Sequence, residues 1–331
     1  MSTLTEERPR IALGPVVTTL VVRVTGVAAI LLVISVLTFG LLYLAPGDLV
    51  RTLIGTRPAT PETIAAIREH YRLDDPVIVQ YLTWLRDALH GDFGESIRMQ
   101  QPVTVVVCSR LGVTVALCVL AFTIAVAVFV PLGVWSAERA GGAGDRVATL
   151  LAVLGVSAPS FVLGLLLLYA FAYYLPVFPV YGTGTGLLDG LYHLVLPATA
   201  LAAGLGALLM RITRAAVGRE LGSDYVTFLR SRGLAAPLIR RVVLRNATIP
   251  IVTGAGLILT YFVSGTILVE TVFSLPGLGT LLQDSVLYKD IPVVQAVTLA
   301  IALVIAVVTV MVDISYAALD PRVRTRRGER A

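Results

Sequence analysis

Six uncharged, apolar stretches set the organisation of this chain, and polar segments of very unequal length separate them. They run over residues 24–45, 111–137, 147 to about 175, 191–210, 249–269 and 293–312. Each holds about 20 or more residues, enough as a helix to cross a hydrocarbon layer roughly 30 Å thick. The first is longer than a secretory signal core and no small-residue cleavage pattern follows it, so it reads as a retained span. Ser157, Pro159 and Ser160 interrupt the third near its middle, and a break at that depth needs neighbouring helices or water to satisfy the freed backbone. Small residues fall four apart in the fourth (Ala198, Ala202, Gly206) and the fifth (Gly256, Thr260, Ser264), a spacing that lets helices approach closely. The broken segment with Ser157, Pro159 and Ser160, and the face with Thr260 and Ser264, are candidates for a translocation path; plain packing is the alternative.

Three polar segments carry patterns of their own. In 46–103, Thr60, Pro61 and Glu62 open a helix to residue 71, and 77–89 places Val77, Tyr81, Trp84, Leu85 and Ala88 on one face. These are either surface helices or a docking surface for an external protein, with Arg68, Trp84 and Arg86 as its candidate contacts. In 211–248, Val217, Leu221, Tyr225, Phe228 and Leu229 repeat as one amphipathic helix, and Gly233 supplies a left-handed stop. Pro237 then opens a second short helix with Leu238, Ile239, Val242 and Val243 on one side and Arg240 and Arg241 on the other, and Asn246 and Pro250 lead into the fifth span. In 270–292, Pro276, Gly277 and Gly279 turn the chain into a short helix across the outer mouth. Glu270 and Asp313 sit at span ends, where interfacial placement or a helix-to-loop hydrogen bond is the favoured reading over ion coupling.

Charge orients the bundle. With the N-terminus inside, the inner segments hold 18 of the 26 basic residues, eight of them between Arg211 and Arg245, and residues 176–190 hold none. The excess of arginine on one side predicts an N-in, C-in topology. The basic segment 211–248 is then an anionic-lipid patch or a docking element for a cytoplasmic partner; a nucleic-acid reader is disfavoured by tethering at both ends.

Composition removes other classes. Hydrophobic residues make up 56% of the 331 and charged residues 14%, with mean hydropathy +0.86, too little charge to solvate a globular surface. Lys289 is the one lysine and lies between Tyr288 and Asp290, so no phosphate-binding Gly-Lys-Ser/Thr loop exists. His70, His90 and His193 begin no zinc-protease motif, and no serine is flanked by glycines at −2 and +2. Cys108 and Cys118 lie about 15 Å apart along one helix and cannot pair. A proton-driven secondary transporter needs acids deep in the spans, which Glu270 and Asp313 are not.

Six short pieces in order then carry a resemblance: Leu-Ala-Pro-Gly-Asp at 44–48, Arg-Leu-Asp-Asp-Pro at 72–76, Gln-Tyr-Leu-Thr-Trp-Leu at 80–85, Gly-Asp-Phe-Gly-Glu-Ser at 91–96, Val-Glu-Thr-Val-Phe-Ser-Leu-Pro-Gly-Leu-Gly at 269–279 and Tyr-Ala-Ala-Leu-Asp-Pro-Arg at 316–322. With these the chain resembles the B-type permease subunit of bacterial ABC importers for dipeptides, oligopeptides and nickel, from about residue 18 to Arg324. The resemblance implies an all-α membrane protein of the type I importer kind, with six transmembrane helices, in the bacterial inner (plasma) membrane. Residues 1–110 form the inner N-terminus, first span and long outer loop; 111–322 form the core with its coupling loop 211–248; 323–331 form a basic tail.

It further implies that the coupling loop docks into the ATPase subunit, through Glu220, Asp224, Tyr225, Arg230, Arg232, Gly233, Leu234, Arg245 and Asn246. Leu229 and Ser231 stand where the family usually has small residues beside the first arginine, and the helix after Gly233 reads one residue short. The implied partners are a second homologous permease, two ATPase subunits, a solute-binding protein outside, and lipid. ATP and magnesium belong to the ATPases, so no cofactor is expected in this chain and no catalysis. Closure of the ATPases is expected to draw two coupling helices together and switch the bundle from inward- to outward-facing. Peptides are the leading substrate, with nickel or its chelate, glutathione, haem or another small solute as alternatives.

Overall fold

The computed structural model describes residues 13–44, 60–70 and 72–319. Residues 45–48 and 320–322 of two family pieces, and the basic tail, lie outside them. Every element among the described residues is helical: α1 (Leu13–Leu44), α2 (Pro61–His70), α3 (Val77–Leu89), α4 (Val103–Ile124), α5 (Val130–Glu138), α6 (Ala143–Ser157), α7 (Ser160–Leu168), α8 (Gly186–Leu221), α9 (Asp224–Ser231), α10 (Ala236–Val272), α11 (Leu278–Leu287) and α12 (Ile291–Leu319). A π-turn, Ala125–Phe129, joins α4 to α5 into one rod. Pro131 explains it: a proline in a helix removes one backbone donor and crowds the preceding turn, and a wider turn relieves both. A second π-turn, Tyr169–Tyr174, prolongs α7.

Five rods are long and apolar enough to cross a membrane, and α6 with α7 makes a sixth if the pair is one span. The pair bends by 106° at Ala158–Pro159. Its packing against α8 decides between a broken span and a re-entrant loop. Asp145 bonds Arg214, a Cβ on Gly155 would lie 3.1 Å from Ala207, one on Gly164 would lie 3.6 Å from Ala200, and Phe178 stacks on Tyr192 at 5.2 Å. The partners move steadily along α8 in one direction, from 214 to 192, over about 33 Å at 1.5 Å per residue. That distance is one hydrocarbon thickness. The pair therefore crosses once, the six-span reading holds, and the expected break at Ser157–Ser160 is found where the sequence put it.

The core forms around α8. Ala198, Ala202 and Gly206, the expected small stripe, are buried, and the ring of Phe129 occupies the place where a Cβ on Gly206 would stand, 2.4 Å away. Leu201, Leu209, Ile258 and Phe262 complete the contact between α8 and α10. On α10, Ile239, Val243, Ala247, Gly254 and Ile258 are buried at near-helical spacing on one face. That stripe is continuous across Pro250, which corrects the expectation of a separate short helix after Pro237. α10 is one helix of 37 residues with Pro250 inside it, because burial along the whole stripe outweighs the single backbone bond that proline removes.

Candidate functional site

The arginine-rich end of the bundle is built by α8 running beyond the span, a tight turn, and α9. The expected single amphipathic helix over 217–229 is two helices. α8 stops at Leu221, where the Ser223 hydroxyl and amide both donate to the Glu220 carbonyl (2.6 and 3.2 Å) and the Gly222 amide donates to Gly218. Serine thus offers the backbone an alternative to another helical turn. The break rotates α9 out of the register of α8. Val226, which the periodicity passed over, is its fully buried residue, and Phe228 is 56% exposed. Val226 is seated among Val134 and Ala137 of α5, Ala216 and Val217 of α8, and Ile239 and Val243 of α10.

α9 ends as the sequence indicates. Gly233 has φ +74°, its amide donates to the Arg230 carbonyl (3.0 Å), and the Leu234 amide donates to Leu229 (3.2 Å). These two bonds form the Schellman ending, and Leu229 and Leu234 join the apolar cluster beneath α9.

Three of the expected residues meet directly. The Tyr225 hydroxyl donates to Glu220 Oε2 at 2.7 Å and accepts from Asn246 Nδ2 at 3.2 Å, tying α8, α9 and α10 together. Burial, then the bond to Glu220, raise the pKa of the Tyr225 phenol above its ordinary value, so it remains a neutral donor. Asp224, Arg230, Arg232 and Arg245 are exposed, and the Arg232 guanidinium lies 5.0 Å from the Phe228 ring centroid. The free face of α9 is therefore an exposed aromatic beside arginines, the composition of a protein-contact patch.

One cluster here was not legible in the sequence. Asp145, at the start of α6, is 2% exposed and accepts from Arg214 Nε (2.6 Å) and Nη2 (2.8 Å), Ser136 Oγ (2.5 Å) and the Gly141 amide (2.9 Å). Beside it, Arg240 Nε donates to Glu138 at 2.6 Å.

At the opposite end, Glu270 is hydrogen-bonded as expected of a span-end acid, although its donors lie in α4 and in the first turn of α11 rather than in the loop itself. It is fully buried at the end of α10 and accepts from Thr114 (2.6 Å), the Gly279 amide (2.7 Å) and the Thr280 amide (3.2 Å). The loop must approach so closely that a Cβ on Gly277 would lie 2.3 Å from the Glu270 carboxyl carbon. Asp290, also buried, accepts from Ser96 (2.5 Å) and the amides of Ile97 and Arg98 (3.1 and 3.2 Å), which fastens the loop before α4 to the corner between α11 and α12.

The outer helices α2 and α3 form as expected, with one change of face. Tyr81 and Trp84 pack on Phe39 of α1 at 5.4 and 5.6 Å between ring centroids, whereas Val77 is exposed and Gln80 is buried. The Gln80 amide explains its burial, since it donates to the Asp75 carbonyl at 2.8 Å and helps close the turn before α3. Trp84 thus leans on α1, while Arg86 and Arg68 are exposed, the latter 3.9 Å from Asp74. Of the candidate path residues, Ser157, Pro159 and Ser264 are exposed and Ser160 and Thr260 half-buried. The Thr260 hydroxyl is directed to its own helix, at the Gly256 carbonyl (3.3 Å). No hydrogen bond among the described residues joins the break to the Thr260–Ser264 face.

Known proteins are similar in sequence along nearly the whole chain. The family described as "Binding-protein-dependent transport system inner membrane component" matches residues 129–325, and its N-terminal companion matches 16–118. A probable peptide ABC transporter permease of Sinorhizobium fredii is 35% identical over 91% of this chain and 97% of its own length. A putative peptide transport system permease of Brucella abortus is 37% identical with the same two coverages. A glutathione transport system permease of Salmonella choleraesuis is 36% identical, again over 91% and 97%. With six spans and this end-to-end similarity, the chain belongs to the binding-protein-dependent transport system inner membrane components, the multi-pass permeases of ABC transport systems.

Proposed function

We propose that this chain is the permease subunit of an ABC importer for small peptides and forms half of the translocation pathway beside a second, homologous permease. One ATPase subunit engages α9 and a second engages the corresponding helix of the other permease, and a solute-binding protein delivers substrate at the opposite face. The observation that carries the reading is the seat of α9: one buried valine and a Tyr225-centred set of bonds hold it against three long helices, with an aromatic and arginine face left free. An eight-residue helix so held can pass a push directly to α5, α8 and α10. Glu220, Asp224, Tyr225, Arg230, Arg232, Gly233, Leu234, Arg245 and Asn246 form this coupling element, in which Tyr225 and Gly233 hold shape and the exposed arginines meet the partner.

The peptide assignment is supported by the names of the relatives, because glutathione is itself a tripeptide and the others are named for peptides. Nucleotide chemistry belongs to the ATPase subunits, with ATP and magnesium bound there, and this chain acts without a cofactor or catalysis of its own. Ser157, Pro159, Ser160, Thr260 and Ser264 are the residues assigned to the path, and Arg68 and Arg86 those assigned to the solute-binding protein. The test is uptake into proteoliposomes carrying both permeases and both ATPases, with the solute-binding protein added outside. Labelled di-, tri- and pentapeptides should enter only with ATP and the binding protein; uptake of nickel but no peptide would overturn the substrate class.

A further inference from the structure

The cluster at Asp145 lies outside the coupling element, yet it is bonded to α5 and α8, two of the three helices that support that element. Asp145 comes from α6, Ser136 from α5, Gly141 from the turn between them and Arg214 from α8. Arg214 stands three residues, about one helical turn, before Val217, which lines the seat of Val226. Glu138, the last residue of α5, bonds Arg240 near the start of α10. The α5–α6 hairpin is therefore fastened to both helices that flank α9. The Arg214–Asp145 contact is bidentate, a geometry that fixes orientation as well as distance. Asp145 is buried and the Arg214 side chain 36% exposed; such a pair contributes little to stability compared with apolar packing, and the effect assigned to it is to hold one arrangement.

The far end of α6 is free of such ties. It ends at the 106° break at Ala158–Pro159, and beyond it α7 packs against the other end of the bundle, where a Cβ on Gly164 would lie 3.1 Å from Phe273. The two halves of the third span thus belong to different ends of the molecule.

We propose that Asp145, Ser136 and Arg214 are positioning residues that bind α6 to α9 as one moving unit, so that a displacement of α9 is delivered to the break at Ala158–Pro159. This rests on α9 being the element that ATPase subunits move. The third span then flexes at the break when the transporter switches, with α7 staying beside the Glu270 corner.

The test uses the assembled complex with Cys108 and Cys118 replaced, and spin labels on exposed Val147 of α6, Thr227 of α9 and Leu166 of α7. Distances are measured before and after trapping with magnesium ATP and vanadate. The 147–227 distance should stay constant in the wild type while 166–227 shifts. Asp145→Asn keeps the shape of the side chain but removes the ion pair. It should broaden and shift the 147–227 distance on trapping and lower binding-protein-stimulated ATP hydrolysis roughly tenfold, the scale of a lost coupling contact. Arg214→Lys, which keeps the charge without the fork, should fall between. A 147–227 distance that changes in the wild type overturns the proposal. So does an Asp145→Asn complex that is merely less heat-stable, with distances and stimulation intact, because a static staple behaves that way. A wild-type chain that captures no ATPase subunits defeats the importer reading, and this inference with it.

Discussion

Gly233 offers the most quantitative test of the coupling element, because its cost on substitution has a single source. Its φ is +74°, and a Cβ placed on it would meet nothing within 4 Å. Substitution therefore brings no clash, only the penalty of a left-handed backbone, about 1–2 kcal/mol for an ordinary residue and up to about 3 for a β-branched one. Against this stands the hold on α9. Its one fully buried side chain is Val226, worth about 1.5–3 kcal/mol. The strain is similar to the burial of Val226, but Leu229 and the Tyr225 bonds also hold α9, so Gly233→Val should shift α9 substantially towards release without emptying its seat, while the spans, with far larger buried areas, stay folded. At about 1.4 kcal/mol per factor of ten, seated α9 should fall roughly ten- to a hundredfold relative to released α9.

The assay is co-purification of the ATPase subunits with the permease pair, followed by ATP hydrolysis in liposomes, with size-exclusion profiles as the check on the spans. Asparagine tolerates the left-handed region, so Gly233→Asn should retain most of the ATPase, Gly233→Ala less and Gly233→Val least. Wild-type capture by Gly233→Val refutes the reasoning outright. An asparagine variant as defective as valine refutes the conformational explanation while leaving the position important.

Three further outcomes check other parts of the molecule. In a background without Cys108 and Cys118, Leu187→Cys should react with an impermeant thiol reagent in intact cells and Ser231→Cys only after permeabilisation; the reverse pattern ends the N-in, C-in topology. Gly279→Ala puts a Cβ 2.5 Å from Ile267 Cα and 2.8 Å from Glu270 Oε2, so its thermal unfolding in detergent should fall by more than that of Glu270→Gln, which unbalances one set of buried bonds at about 1–3 kcal/mol. Arg68→Glu with Arg86→Glu should weaken stimulation of ATP hydrolysis by the solute-binding protein, and full stimulation leaves α2 and α3 as surface helices.

The architecture was readable where one residue type dictates the backbone or one period covers a whole element. Gly233 is the clear case: a glycine after an amphipathic run can close a helix in a way other residues resist, and it does so here with both Schellman bonds. The Ser157-Ala-Pro-Ser160 break was readable for the same reason, although its 106° angle was not, since angle depends on what the two halves pack against. Periodicity failed where a short irregularity reset it. Counting through Gly222 and Ser223 put Phe228 on the buried face, whereas the turn hands that place to Val226. Pro250 misled in the opposite sense, because a buried stripe on both sides can carry a helix through a proline. Asp145 and Arg214 were invisible as a pair. They stand 69 residues apart, and each looks like one more charge beside a span until α6 and α8 are laid together.

The placement of polar groups explains how a bundle of this kind can be firm and still switch. The buried carboxylates of Asp145, Glu270 and Asp290 are each satisfied by several donors drawn from other helices, turns or loops, and each lies at an end of the bundle. Burying such a group unpaired is costly, so each acts as a fixed point that specifies which loop meets which helix. Between these ends α8 packs through the small residues Ala198, Ala202, Gly206 and Ala207 together with Leu201 and Leu209, and the ring of Phe129 fills the space at Gly206. Contacts of that kind have no directional bonds to break, so one packed arrangement can be exchanged for another without leaving a buried polar group unpaired. A helix end pinned by four donors resists rotation more than an apolar seam without hydrogen bonds does. If ATPase subunits move α9, as proposed, the motion is conserved through the pinned arginine-rich end and is taken up in the middle, at the seam along α8 and at the break in the third span.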